Sequence, residues 1–155
     1  MNLVLIAEQT LNGLQLGVML FLLAAGLTLV FGIMNLVNLA HGSLYMVGAY
    51  LTTYFYQATG SFALAVALGL AGTLVVGIVV ELVALRTLYE RDHLDQVLAT
   101  FGLILFFNEL VAIIWGRSAI YSTLPAYLTG HVELIGSLRY PLYRLVIIGV
   151  GLAVA

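Results

Sequence analysis

Three side chains able to hydrogen-bond a small polar molecule lie three residues apart, Asn35, Asn38 and His41, and Gly42, Ser43 and Tyr45 follow closely. Were the stretch helical, each three-residue step would turn by about 300°, leaving all three within an arc of about 120° that also takes in Tyr45. Two amides, an imidazole and a phenol on one stripe suit transient binding of a polar solute better than covalent chemistry. His41 and Ser43 are two residues apart, which sends their side chains to different sides of a helix. A Ser–His nucleophile needs hydrogen-bond contact between the pair, so an intramembrane hydrolase is a poor reading.

The same residues support a second geometry. Gly32 and Gly42 bracket the stretch, and a break between them would make Asn35–Ser43 a discontinuous helix with free backbone groups. Irregular backbone at membrane depth is tolerated only where it is buried in protein or lines a water-filled cavity, and in transporters such breaks often lie on the substrate path. Against both stand plainer readings: a short turn at the membrane surface, or Asn side chains bonding one helix to the next.

Glu109 is the one carboxylate well inside an apolar run. An acidic residue at mid-span costs about 2.5–3.5 kcal/mol, and less towards the ends. Trp115, six residues on, marks an interface, so the cost here falls below that. Pairing with an Arg, protonation, or a place in a polar cavity would each account for it. Trp115, Tyr54, Tyr56 and Tyr143 read as interfacial anchors.

The elements that position these groups must be membrane helices. Apolar residues make up 63% of the chain and charged residues 8%, with mean hydropathy +1.15. A soluble domain is nearer half apolar and a quarter charged, so lipid is the solvent for much of this surface. Between Glu8 and Glu81 no Asp, Glu, Lys or Arg occurs, a run of about 72 residues where one crossing needs about 20. The expectation is an all-α, polytopic transmembrane helix bundle of about four full spans plus the start of a fifth. The apolar segments are Leu11–Phe31, Leu44–Tyr56, Phe62–Leu85, Val97–Trp115 and Leu142–Ala155. Gly13 and Gly17 form a GxxxG pair, while Gly69, Gly72, Thr73 and Gly77 read as close-packing positions. Gly116–Pro141 reads as an extramembrane loop, since Pro125 opposes one continuous helix there. Residues 1–155 form one transmembrane domain that stops within a span, and the N-terminus, with Glu8 and no basic residue, reads as a retained span rather than a cleaved signal.

Absences exclude other functions. Without Cys there is neither disulfide nor thiolate metal site, and neither a metal site nor another cofactor is expected. Without Lys there is no Walker A phosphate loop, so ATP hydrolysis would belong to another chain. A net charge of −2 with no basic run gives nothing for nucleic acid to bind.

The stretch Gly26–Tyr50, with its Gly-Leu-Thr-Leu-Val-Phe-Gly-Ile-Met run, Asn38, Ala40-His41-Gly42, Tyr45-Met46 and Gly48-Ala49-Tyr50, resembles permease subunits of branched-chain amino acid ABC importers. A second block, Asp95-Gln96-Val97-Leu98 with Thr100-Phe101-Gly102-Leu103, then Asn108-Glu109 and Trp115-Gly116, resembles the same family at the right separation. Urea and short-chain amide importers carry nearly the same motifs. The resemblance implies a non-enzymatic, multi-pass subunit of the bacterial inner membrane, here its N-terminal half. Its partners would be a second permease subunit, two cytoplasmic ATPase subunits and a periplasmic substrate-binding protein, all around a lipid-embedded pair. It also implies that Arg86–Gln96 is cytoplasmic and Gly116–Pro141 periplasmic, which the placing of the arginines alone leaves open. Asn35, Asn38, His41, Gly42, Ser43, Tyr45 and Glu109 are the expected substrate-pathway residues. A secondary transporter or channel is the competing class, and Glu109 would be its ion-coupling carboxylate.

Overall fold

The computed structural model describes residues 3–118, 120, 124–133 and 139–155. In chain order the elements are α1 (Leu3–Met34), α2 (His41–Thr59), α3 (Phe62–Val83), α4 (His93–Trp115), a short hairpin of β1 (His131–Glu133) and β2 (Arg139–Pro141), and α5 (Leu142–Val154). Single 3-10 turns occupy Leu85–Leu88 and Ala126–Leu128. The all-helical membrane architecture expected from the sequence is observed.

Three helices are long and apolar enough to cross a membrane: Val4–Met34, Phe62–Val83 and His93–Trp115. That is one fewer among the described residues than the four full spans expected. The difference is α2, which has 19 residues but carries His41, Ser43, Thr52, Thr53, Gln57 and Thr59 along its length. Its Thr53 and Thr59 hydroxyls each bond back to the carbonyl four residues earlier, satisfying themselves within the helix. α5 is apolar but short.

The chain forms two compact units, Leu27–Ser122 and a second made of Met1–Gly26 with Thr123–Ala155. In the central unit, α2 and α3 pack along their length through small residues. A methyl group added at Gly69 would collide with Thr52, and one at Gly48 would approach Thr73 Oγ1 to 2.9 Å. Gly72 abuts Leu51, whereas Gly77 faces open space, so of the expected close-packing positions Gly77 is not one. Val47 on α2 and Phe107 and Val111 on α4 form the buried apolar core. Most other large apolar side chains point outward, Ile113 at 79% exposure among them, as helices solvated by lipid must. Gly60 closes α2 and Gly116 closes α4, both at positive φ (68° and 88°) that other residues adopt with strain.

In the unit formed by the two ends of the chain, Gly151 of α5 lies against Val18 and Leu22 of α1 so closely that an added methyl group would overlap Val18. Among the described residues nothing lies within 4 Å of where a Cβ at Gly13 or Gly17 would stand, so the GxxxG pair makes no helix contact among them. β1 and β2 pair antiparallel, with Val132 opposite Tyr140, and the exposed Arg139–Glu133 ion pair at 3.2 Å closes the ladder. The loop thus holds a hairpin between helical segments, consistent with Pro125 as a helix stop.

Candidate functional site

α1 ends at Met34 because Asn35 adopts φ 50°, the left-handed region. Asn tolerates that conformation better than other side-chain-bearing residues because its short amide can bond locally. The Asn35 amide N–H still donates to Phe31 O at 2.8 Å, and regular helix resumes at His41. The helix is therefore interrupted over residues 35–40, a shorter stretch than the Asn35–Ser43 expected, and a single polar stripe across Asn35, Asn38 and His41 does not form. The glycines do not make the break: Gly32 lies within α1 and Gly42 within α2.

Alternate residues of the interruption are buried in protein, while Asn35 and Leu39 are exposed. Leu36, Asn38 and Ala40 are at most 5% exposed, so their backbone groups need internal partners. Asn38 Oδ1 accepts from the Ala40 N–H at 3.0 Å, a local turn that the side chain makes with its own backbone. Ser43 N–H donates to Ala40 O at 3.0 Å. Further partners come from α4. Val37 N–H donates to Gln96 Oε1 at 3.1 Å, and the Thr100 hydroxyl lies 3.4 Å from Val37 O while donating at 2.7 Å to Gln96 O.

Gln96, 2% exposed, is the hub. Its Nε2 donates to Leu88 O and to Arg91 O, both at 3.2 Å, and its Oε1 also faces His93 Nδ1 at 3.3 Å. With two carbonyls on one side and a backbone N–H on the other, only this orientation of the amide satisfies every partner. Beside it, the Tyr89 hydroxyl donates to Glu81. Burial first, then that hydrogen bond and the negative charge of Glu81, push the Tyr89 phenol up to about 12, opposed by Arg86.

The residues expected on the substrate path divide by environment. Asn38 and Ser43 are buried and His41 half-buried, whereas Asn35, Gly42 and Tyr45 are exposed. Glu109 lies apart from them: it pairs with Arg117 at 3.3 Å, with both side chains mostly exposed. A small cleft of about 190 Å³ opens elsewhere, lined by Ala49, Tyr50, Thr53 and Ile120, with the Tyr50 and Trp115 rings 5.4 Å apart next to it. No expected pathway residue lines it. Among the described residues no group of His, Cys, Asp or Glu could hold a metal.

Sequence reasoning missed the roles of Gln96, Tyr89 and Thr100. Gln96 and Thr100 are four apart, so they share a face of an otherwise apolar helix, and that spacing was the available signal. In the other unit, Asn12 Oδ1 accepts from the Tyr140 hydroxyl at 3.1 Å and from the Arg144 guanidinium.

Comparison with known proteins adds a separate line. The family described as the branched-chain amino acid transport system permease component matches residues 9–153. The high-affinity branched-chain amino acid transport system permease protein LivH of Escherichia coli (strain K12) is 30% identical over 132 residues, covering 79% of this chain and 42% of LivH. LivH of Salmonella typhimurium (strain LT2) matches to the same extent. BraD of Pseudomonas aeruginosa, named for the same kind of system, is 29% identical over 133 residues, covering 80% of this chain and 43% of BraD. The chain spans less than half the length of these relatives. No solved structure matches it.

Proposed function

The chain belongs to the permease component family of branched-chain amino acid transport systems, and from that premise we propose that it supplies part of the membrane path of an ABC importer for such amino acids. The observation that carries the reading is the half-buried interruption at Asn35–Ala40, a helix break whose Val37 and Ala40 N–H groups are met by side chains of its own unit. Helix breaks of this kind leave polar backbone beside a transport route without exposing it to lipid.

In this reading residues 1–155 form the N-terminal part of a multi-pass subunit of the bacterial inner membrane. A second permease subunit completes the path, two cytoplasmic ATPase subunits drive it, and a periplasmic binding protein delivers the substrate. Asn38, His41 and Ser43 form the inner polar surface, and Asn35, Gly42 and Tyr45 face outward towards the partner subunit or the path. No covalent step takes place in this chain. Binding along the path is weak, because a tight site would retain substrate after the binding protein had released it. Glu109, paired and exposed, holds Arg117 at the end of α4 and takes no part in ion coupling.

The test is uptake into proteoliposomes holding the full-length permease with its ATPase and binding-protein partners. ATP-dependent uptake of labelled leucine is the expected result. Uptake of urea or a short amide in its place would reassign the substrate, and uptake without the ATPases would support a secondary transporter. Asn38→Leu with His41→Leu should lower uptake at least tenfold while assembly is kept. Undiminished uptake by that double variant would remove the pathway role.

A further inference from the structure

The segment Leu85–Asp92 carries half of the charges of the central unit, and it meets the interrupted helix at the end of α1 and, through Gln96, within the break. On one side Tyr89 Oη lies 3.8 Å from Sδ of Met34, the last residue of α1. Its proton goes to Glu81, so the sulfur contact is one of packing. On the other side Gln96 joins Leu88 O and Arg91 O of the loop to the Val37 N–H of the break through a single planar amide.

We infer that Gln96 is a positioning residue that transmits the position of the Leu85–Arg91 loop to the Asn35–Ala40 interruption. Three features carry this. The groups it joins are backbone groups, so they cannot turn aside as side chains do when the loop shifts. The amide is 2% exposed, so water cannot take over a bond that is broken, and an unmet buried group costs about 1–3 kcal/mol. The amide is also rigid, so a shift of the loop carbonyls must either tilt it, moving Oε1 against Val37, or break a bond. Thr100, one turn along on the same face, lies against Val37 O at 3.4 Å, so the peptides on both sides of the Val37 Cα meet α4. The loop and the break therefore move together. For transport, which rests on the function proposed above, any event that displaces the loop changes the shape of the polar interruption.

The experiment uses the full-length permease assembled with its partners and a single cysteine as reporter. This segment contains no cysteine of its own. Ala40→Cys places the reporter at a site 1% exposed in the break, and Leu85→Ala disturbs the loop at its buried side chain, 6% exposed. Labelling of Cys at 40 by a small membrane-permeant maleimide is timed with and without Leu85→Ala, in Gln96, Gln96→Leu and Gln96→Glu backgrounds. With Gln96 present, the loop change should speed labelling about fivefold, within the range of coupling between residues in contact. In Gln96→Glu, which keeps an acceptor for Val37 but loses both donors to the loop, it should change labelling less than twofold. Gln96→Leu should label fast with or without the loop change.

An equal response in the Gln96 and Gln96→Glu backgrounds would reduce Gln96 to local packing. The absence of any response with Gln96 present would overturn the inference outright. The same complexes report uptake per ATP hydrolysed, and Gln96→Glu should lower that ratio while hydrolysis continues. If the parent complex showed no uptake, the transport reading would fail while the labelling still decided the coupling.

Discussion

Two amide side chains gather the polar contacts of this molecule, one in each unit, and they serve different clients. Asn12, in the unit built from the chain ends, accepts from the Tyr140 hydroxyl and the Arg144 guanidinium, side chain to side chain. Gln96, in the central unit, bonds backbone groups on three peptides. In a membrane this difference matters. Side chains released from one partner find another within the unfolded ensemble, and such interhelical bonds average only about 0.6 kcal/mol. Backbone freed from the helical ladder has no such choice, and an unmet group in an apolar setting costs several kcal/mol. An amide that stands in for missing helix bonds should therefore carry more stability than one that links two side chains.

The largest effect is expected at Gln96. Gln96→Leu leaves the Val37 N–H and Arg91 O without partners, while Leu88 O keeps the Arg91 N–H at 3.1 Å. Two unmet groups correspond to about 2–6 kcal/mol, read as a lower midpoint for unfolding of the full-length permease in mixed detergent. A loss as small as that from an exposed substitution would break the comparison at its stronger end.

Packing separates the units in the same direction. Gly69→Ala drives a methyl group into Thr52, at an overpacking cost of about 1–3 kcal/mol. Gly17→Ala meets nothing among the described residues and should leave the midpoint level or raise it slightly, since Ala favours a helix by up to about 1 kcal/mol. If Gly17→Ala leaves the fold intact but disrupts the assembled complex, that glycine faces a second chain.

Asn12→Leu should come next, at about 1 kcal/mol. Arg144 keeps the Tyr143 hydroxyl at 2.9 Å, and the buried Tyr140 hydroxyl bears the loss. Unfolding midpoints for Asn12→Leu and Gln96→Leu, measured side by side, decide the comparison directly. Equal losses would mean that side-chain and backbone clients weigh the same.

These contrasts also show what could be read from residue order alone. The apolar runs located α3, α4 and α5 to within a few residues, because a helix solvated by lipid is apolar on every face and needs no periodic pattern to be seen; α1 begins at Leu3, well before the expected Leu11, because Glu8, Gln9 and Asn12 hid its first turns. α2 was found too, but its hydroxyls and amide place it below the other spans in apolarity. The break was legible as polar residues within a charge-free run. Its cause was not, since the flanking glycines drew attention while Asn35 took the left-handed turn. Gln96 stayed hidden for a physical reason. Its partners are the backbone of residues 37, 88 and 91, and backbone groups leave no trace in residue types. The Asn38 side chain likewise turned inward to its own chain, a choice that only the local dihedrals reveal.

A smaller effect follows from the phenol of Tyr89, raised from an ordinary value of 10.0 to about 12. The folded chain holds that proton where the unfolded chain has lost it. The stabilisation is therefore complete below about pH 10 and is lost as pH rises through about 12. In an alkaline titration followed by phenolate absorbance, the difference between the parent and Tyr89→Phe should develop late, near pH 12. A difference centred near pH 10 would mean that Glu81 does not hold the phenol.

The smallest change is expected at Glu109. Its partner Arg117 sits just beyond Gly116, where α4 has ended, and the two side chains are 65% and 82% exposed. An exposed ion pair contributes about 0–1 kcal/mol, because solvent screens both charges and holding two long side chains costs entropy. Glu109→Gln removes the charge but keeps an acceptor for the guanidinium, so the unfolding midpoint should move by less than about 0.5 kcal/mol. Uptake should stay within about twofold of the parent, a change of about 0.4 kcal/mol in activation free energy. A loss of uptake exceeding tenfold with the midpoint unchanged would place Glu109 on the substrate path. It would also show that a charge exposed in this chain alone is covered once the second permease subunit is in place.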